Sequence, residues 1–151
     1  MITLREADNA DLDLFQAHQA DLEAARMVAG PPMRDRDGFR EHWTRTAKNP
    51  GTVRRVIVFE GAAAGYVGCF TNDGVREVCY WLGREFWGKG IASEALRLFL
   101  LEEPRRPLIG RVAKRNPASI RVLEKCGFKV VREDTSPYGE EQVSGFVLRL
   151  D

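Results

Sequence analysis

The segment Arg84–Leu96 reads REFWGKGIASEAL: two glycines flank a lysine, and a helical pattern follows at once. Gly88 and Gly90 carry no side chain, so the backbone amides around them are bare enough to face an anion. The helix that they open adds partial positive charge at its N-terminus, an arrangement suited to a pyrophosphate. Lys89 and Arg84 supply further charge at the rim. On these residues alone, the competing reading is a plain glycine turn into a helix, with Lys89 in water.

Two nucleotide readings of the loop fail on its chemistry. Gly83–Lys89 fits G-x-x-x-x-G-K, but the next residue must be Ser or Thr to place a hydroxyl on magnesium, and it is Gly90. Glu85 sets a carboxylate beside the phosphates, and Phe86 and Trp87 are bulky where the backbone has to approach. A dinucleotide loop, G-x-G-x-x-G, needs glycine at position 93, which is Ser93.

The elements around the loop follow from periodicity and turn chemistry. Met1–Glu6 is expected as a strand and Asp8–Ala25 as a helix, broken by Gly30-Pro31-Pro32. A second helix covers Asp37–Lys48 and ends at Asn49-Pro50-Gly51. The period then becomes that of strands: Val53–Phe59, Tyr66–Thr71 and Val75–Leu82, with a turn at Gly61–Gly65 and a hairpin at Asn72-Asp73-Gly74. Three strands with short connections make an antiparallel meander. After it come a helix (Gly90–Leu101), a strand (Leu108–Ala113), a helix (Pro117–Lys125) and two strands, Phe128–Glu133 and Gln142–Leu150.

Composition bounds the function class. The chain has 151 residues, 44% hydrophobic and 30% charged, which fits one folded α/β domain with a real core. With 23 basic against 22 acidic residues the net charge is +1, so binding to nucleic acid through bulk positive charge is excluded. No apolar run reaches the roughly 20 residues of a membrane span. The first residues, MITLREADNADLDLF, lack the layout of a signal peptide, and a cytoplasmic protein is expected. Cys69, Cys79 and Cys126 are odd in number and never in C-x-x-C spacing, and with His18 and His42 they offer no zinc site; three free thiols are expected, with Cys126 as packing.

The order strand, glycine loop, helix, strand and then NPASIRVLEKCGF (Asn116–Phe128) resembles the GNAT family of acyl-CoA-dependent N-acyltransferases. Joined to YWLGREFWGKGIASEAL (Tyr80–Leu96), it is similar to the branch that includes the RimJ/RimL-type ribosomal-protein N-terminal acetyltransferases. The resemblance covers most of the chain, including the opening TLREA, and is specific from Glu77 to Phe128. It implies one GNAT-like α/β (α+β) domain over residues 1–151, with a mixed, mostly antiparallel sheet of about six or seven strands flanked by helices. It also implies acetyl transfer from acetyl-CoA to a primary amine, a protein N-terminus or a small molecule, directly in a ternary complex and with no metal. The alternative is an acyl-CoA sensor or scaffold without turnover. Homodimers are common in the family.

The resemblance also assigns residues. Trp87, Gly88, Lys89, Gly90, Ile91 and Ala92 are expected to hold the pyrophosphate, and Trp81 and Leu82 to pair with the pantetheine arm. The family's loop begins with Gln or Arg where this chain has Glu85; Arg84 stands beside it as a substitute. Acyl transfer to an amine needs a base and a protonated leaving thiol. Glu77 is the candidate base, three residues before Tyr80 as in E-x-G-Y, with Cys79 in place of the glycine; the other reading is a solvated glutamate paired with Arg76 or another basic residue. Strand alternation puts Glu77, Cys79 and Trp81 on one face and Val78, Tyr80 and Leu82 on the other. Asn116 caps a helix whose first residue is Pro117, either as a cap alone or as a cap that also touches the cofactor. Ser119, one turn on, either reaches coenzyme A or faces solvent. Many relatives have a tyrosine seven residues after the Asn; here Leu123 stands there, leaving Ser119, Tyr138 or water to protonate the thiolate. The acceptor is framed by the first-half helices and the Thr135–Glu141 loop, and in the segment EDTSPYGEE that contains it Glu133, Asp134, Glu140 and Glu141 either attract a cationic amine or are solvated.

Overall fold

Two turns set the meander in register. Asp73 (φ 52°) and Gly74 (φ 79°) take left-handed backbone between Asn72 and Val75, and Glu60 (φ 50°) and Gly61 (φ 83°) do the same between Phe59 and Ala62. Paired left-handed residues match the right-handed twist of the strands they join. The computed structural model describes residues 1–21, 23, 34–138 and 141–151, and the side chains of all of these except 136–138 and 141. The helix expected over Asp8–Ala25 stops at Gln19, with Ala20 as its C-cap; the Gly30-Pro31-Pro32 break, the Tyr138 side chain and Glu140 lie outside the described residues.

The strands are β1 (Ile2–Arg5), β2 (Val53–Phe59), β3 (Ala62–Asn72), β4 (Val75–Leu82), β5 (Leu108–Ala113), β6 (Lys129–Tyr138) and β7 (Glu141–Leu150). They form one seven-stranded sheet in the order β1-β2-β3-β4-β5-β7-β6. Every neighbouring pair is antiparallel except β4 and β5, which are parallel. The helices are α1 (Asn9–Gln19), α2 (Arg36–Ala47), α3 (Ile91–Glu102) and α4 (Pro117–Lys125). Two further expectations need correction. The region Gly61–Gly65 is mostly strand, because the Glu60-Gly61 pair suffices for the turn. The stretch expected as a loop from Thr135 is strand as far as Tyr138, because Thr135, Ser136, Pro137 and Tyr138 pair with β7.

The sheet is covered on both faces. On one, Ile91, Ala95, Leu96 and Phe99 recur at helical spacing along α3 and pack with Leu123 of α4 against Ile57, Val67 and Val78. On the other, Leu12 and Phe15 of α1 and Phe39 of α2 pack on Val56, with Trp43 and Tyr66 against them. No helix of the described residues is long and apolar enough to cross a membrane.

Candidate active site

β4 and β5 share one ladder pair, Glu77 with Ile109. Beyond it, residues of both strands line a cavity of about 750 Å³. The Gly83 N–H donates to the Ala64 carbonyl at 3.0 Å. By the alternation of an antiparallel ladder, the odd-numbered residues of β4 therefore turn their backbone groups to β3, and the even-numbered ones turn theirs to the gap. Trp81 spends its backbone on Tyr66. The edge groups that face the gap belong to Tyr80 and Leu82, and the Leu82 carbonyl already accepts from Trp87 Nε1 at 3.2 Å.

At the far end of β4, Arg84–Phe86 form a 3-10 turn and the glycine loop enters α3. Gly88 (φ 74°) and Gly90 (φ 75°) are both left-handed, conformations that disfavour any side chain, and a Cβ on either would meet no atom within 4 Å. Gly90 is the N-cap and has no side-chain cap. The first amides of α3 thus have no partner inside the helix and open toward a space that the glycines keep clear.

The gap brings together most of the residues expected from the sequence. Glu77, Trp81, Leu82, Trp87, Gly88, Gly90, Ile91, Ala92, Asn116 and Ser119 all line the cavity. Lys89 and Arg84 are not among its lining residues. Arg84, expected at the phosphate rim, is instead ion-paired with Asp21 at 2.9 Å and with Glu23. The basic side chains that do line the cavity are Arg111, Arg121 and Lys125. Arg121 and Lys125 escaped the sequence reading, although their four-residue spacing puts both on one face of α4.

Glu77 is buried, 6% exposed, and accepts from Arg111 Nε at 2.7 Å through Oε1. The alternative of a solvated glutamate does not hold, since the side chain is buried, and its basic partner is Arg111 rather than Arg76. Arg76 lies on the other side of the strand, donating to Cys69 Sγ at 2.8 Å and facing Glu103 at 3.3 Å. Cys79, on the Glu77 face, has its thiol pushed up to about 12 by burial and remains neutral.

On the opposite face of β4, Tyr80 Oη lies 2.5 Å from Ser119 Oγ and donates to the Ser119 carbonyl at 3.2 Å. Burial pushes the Tyr80 phenol up to about 12, with the Ser119 hydrogen bond acting against it. Asn116 Oδ1 accepts from the Ser119 amide at 3.3 Å, capping α4 and orienting the same serine. Leu123 is 1% exposed and sits under Gly110, where a Cβ would meet its two methyls at 2.9 Å. The place that many relatives give to a tyrosine is therefore a buried apolar part of the cavity wall here, and among the described residues the phenol that lines the gap is Tyr80. Sequence reasoning used Tyr80 as a landmark and missed its contact. The only signal was its alternation with Glu77.

All three cysteines are free thiols, and Cys126 Sγ contacts the Ser93 carbonyl at 3.5 Å, joining the end of α4 to the start of α3.

Residues 1–129 match the family model described as the acetyltransferase (GNAT) domain. Among solved structures, an N-acetyltransferase from Staphylococcus aureus Mu50 superposes with a TM-score of 0.84 at 20% identity, over 100% of this chain and 98% of that one. A GNAT superfamily phosphinothricin acetyltransferase from Sinorhizobium meliloti in complex with acetyl-CoA gives 0.83 at 20% identity, over 99% and 87%. The microcin C7 self-immunity acetyltransferase in complex with acetyl-CoA and AMP gives 0.82 at 18% identity, over 99% and 91%.

Proposed function

Because this chain belongs to the GNAT family of acetyltransferases, we propose that its 151 residues form one such domain, which moves the acetyl group of acetyl-CoA directly to a primary amine held in the same cavity. The observation that carries the reading is the opening of β4 away from β5 directly beside a glycine loop with unpartnered helix amides. An extended arm carrying amides completes the edge of Tyr80 and Leu82 as a strand would. The loop from Trp87 to Ala92 receives a pyrophosphate on backbone donors. Arg121 and Lys125 add charge from α4. The acetyl-CoA bound on the same fold in the Sinorhizobium and microcin structures supports the choice of ligand.

Acetyl-CoA supplies an activated thioester. The chain supplies the proton traffic. Glu77 takes the proton of the incoming ammonium, leaving the neutral amine to attack. The Ser119 hydroxyl, backed by Tyr80 Oη at 2.5 Å, gives a proton to the sulfur as the C–S bond breaks, and the second proton shed by the newly acylated nitrogen refills the pair. A phenol at about 12 stays protonated through the working range of such an enzyme and remains a donor. The Tyr80–Leu96 and Asn116–Phe128 segments still resemble the RimJ/RimL-type branch. That resemblance puts peptide N-termini beside small amines as acceptors.

Calorimetric titration tests the first half of this reading. Acetyl-CoA is expected to bind, and Gly88→Trp and Gly90→Trp to abolish the heat, while ATP with magnesium gives none. No heat with acetyl-CoA overturns the assignment.

A further inference from the structure

Glu77 is the first member of an ion network that crosses four strands. Arg111 on β5 donates Nε to Glu77 Oε1 at 2.7 Å and Nη1 to Asp134 Oδ2 at 2.8 Å. Asp134 lies on β6, and β7 stands between it and β5. It crosses that strand at Gly145, its register partner, where a Cβ would meet Asp134 Oδ1 at 3.2 Å and the Val112 carbonyl at 2.7 Å. The missing side chain at Gly145 is what opens this path. All four residues line the cavity.

We propose that Arg111 is a positioning residue for Glu77, anchored by Asp134 so that it fixes one carboxylate oxygen and leaves the other open toward the cavity. The inference rests on the reading of Glu77 as the base. Two contacts through different nitrogens fix the plane of the guanidinium, which one contact would leave free to turn. Arg111 Nε takes Oε1, and Oε2 has no partner among the described residues. Side-chain exposure is 8% at Glu77, 19% at Asp134 and 41% at Arg111, so the carboxylates are sheltered and the cation reaches the open side. Two carboxylates share one guanidinium, and Asp134 competes with Glu77 for it. Arg111 accordingly holds its proton more firmly than an ordinary arginine, first through the Glu77 hydrogen bond and then through both carboxylate charges.

Other titratable groups on this sheet face, among the described residues, begin with Tyr66, the register partner of Trp81, which burial keeps neutral. Cys79 follows Glu77 along β4 and is neutral. Arg132 aligns with Val147, the register partner of Arg111. Arg149 is bound to Asp151 at 2.6 Å. From β2, Arg54 is committed to the Trp43 carbonyl at 2.7 Å and Thr46 Oγ1 at 2.9 Å.

The test is thiol release from acetyl-CoA with three probe amines: phenethylamine, spermidine and a tripeptide with a free N-terminus. In Arg111→Gln kcat is expected to fall about tenfold or more while the KM for acetyl-CoA stays within about twofold of wild type. Arg111→Lys retains the charge but not the fork, so it recovers only part of that loss. Asp134→Asn frees the guanidinium to turn and lowers kcat by a smaller factor. The same Arg111→Gln change made in Glu77→Gln costs little further, because a residue that acts through Glu77 then has nothing left to position, whereas loosened packing costs as much in either background. Wild-type kcat in Arg111→Gln, or an equal loss in both backgrounds, overturns the inference. Full thiol release by Glu77→Gln overturns the base assignment instead.

Discussion

Glu103 offers a sharp test of how the fold is held, because its environment sets a magnitude. It follows α3, is 3% exposed, and accepts from Arg105 three times: Nε at 2.7 Å, Nη2 at 2.9 Å and the backbone N–H at 3.1 Å. Arg76 Nη2 lies 3.3 Å away, joining this corner to β4. The Arg105 hydrogen bonds, outweighing burial, hold the carboxyl at about 2 against an ordinary 4.5. A depressed carboxyl stabilises the fold above its unfolded pKa, and the contribution is lost as pH falls from about 4.5 toward 2. That depression corresponds to about 3 kcal/mol, and screening of Arg105, which is half in water, reduces it to about 2 kcal/mol. Glu103→Gln should therefore unfold at lower urea at pH 7.5, with Tm down by about 4–8 °C. At pH 3.5 roughly two-fifths of the gap between variant and wild type should have closed. Urea unfolding of both proteins at the two pH values measures this. A variant as stable as wild type at pH 7.5, or a gap of constant size, refutes the reasoning.

Gly90→Ala meets no neighbour but must hold a left-handed backbone, so it should cost about 1–2 kcal/mol of stability and raise the KM for acetyl-CoA, as denaturation and steady-state kinetics will show. Tyr80→Phe should lower kcat roughly tenfold or more while leaving acetyl-CoA binding near wild type, by rate and calorimetry. With its phenol at about 12, the wild-type rate should show no alkaline loss from this group below pH 10. In Gly65→Ala the new Cβ falls on the Trp81 carbonyl, so β3 and β4 must separate; a loss of about 2–4 kcal/mol is expected in urea unfolding.

What the sequence determined alone is what neighbours in the chain decide. Asn72-Asp73-Gly74 turns because those residues tolerate left-handed backbone, and the hairpin register follows from it. Asn116-Pro117 starts α4 because an Asn side chain caps an amide and proline needs none. The glycine loop was legible for the same local reason, and alternation alone put Glu77 and Tyr80 on opposite faces of β4. Tertiary structure decided the partners. Arg111 is 34 residues from Glu77, and Tyr80 is 39 from Ser119; no periodicity links positions so far apart. Arg84 reads as a phosphate cation until Asp21 and Glu23 are found beside it. Asp134 reads as a solvated loop acid until Gly145 opens its way across β7. Long-range charge pairs depend on strand order and on which strands part, and both are set by how the two faces of the sheet pack together rather than by any local run of residues.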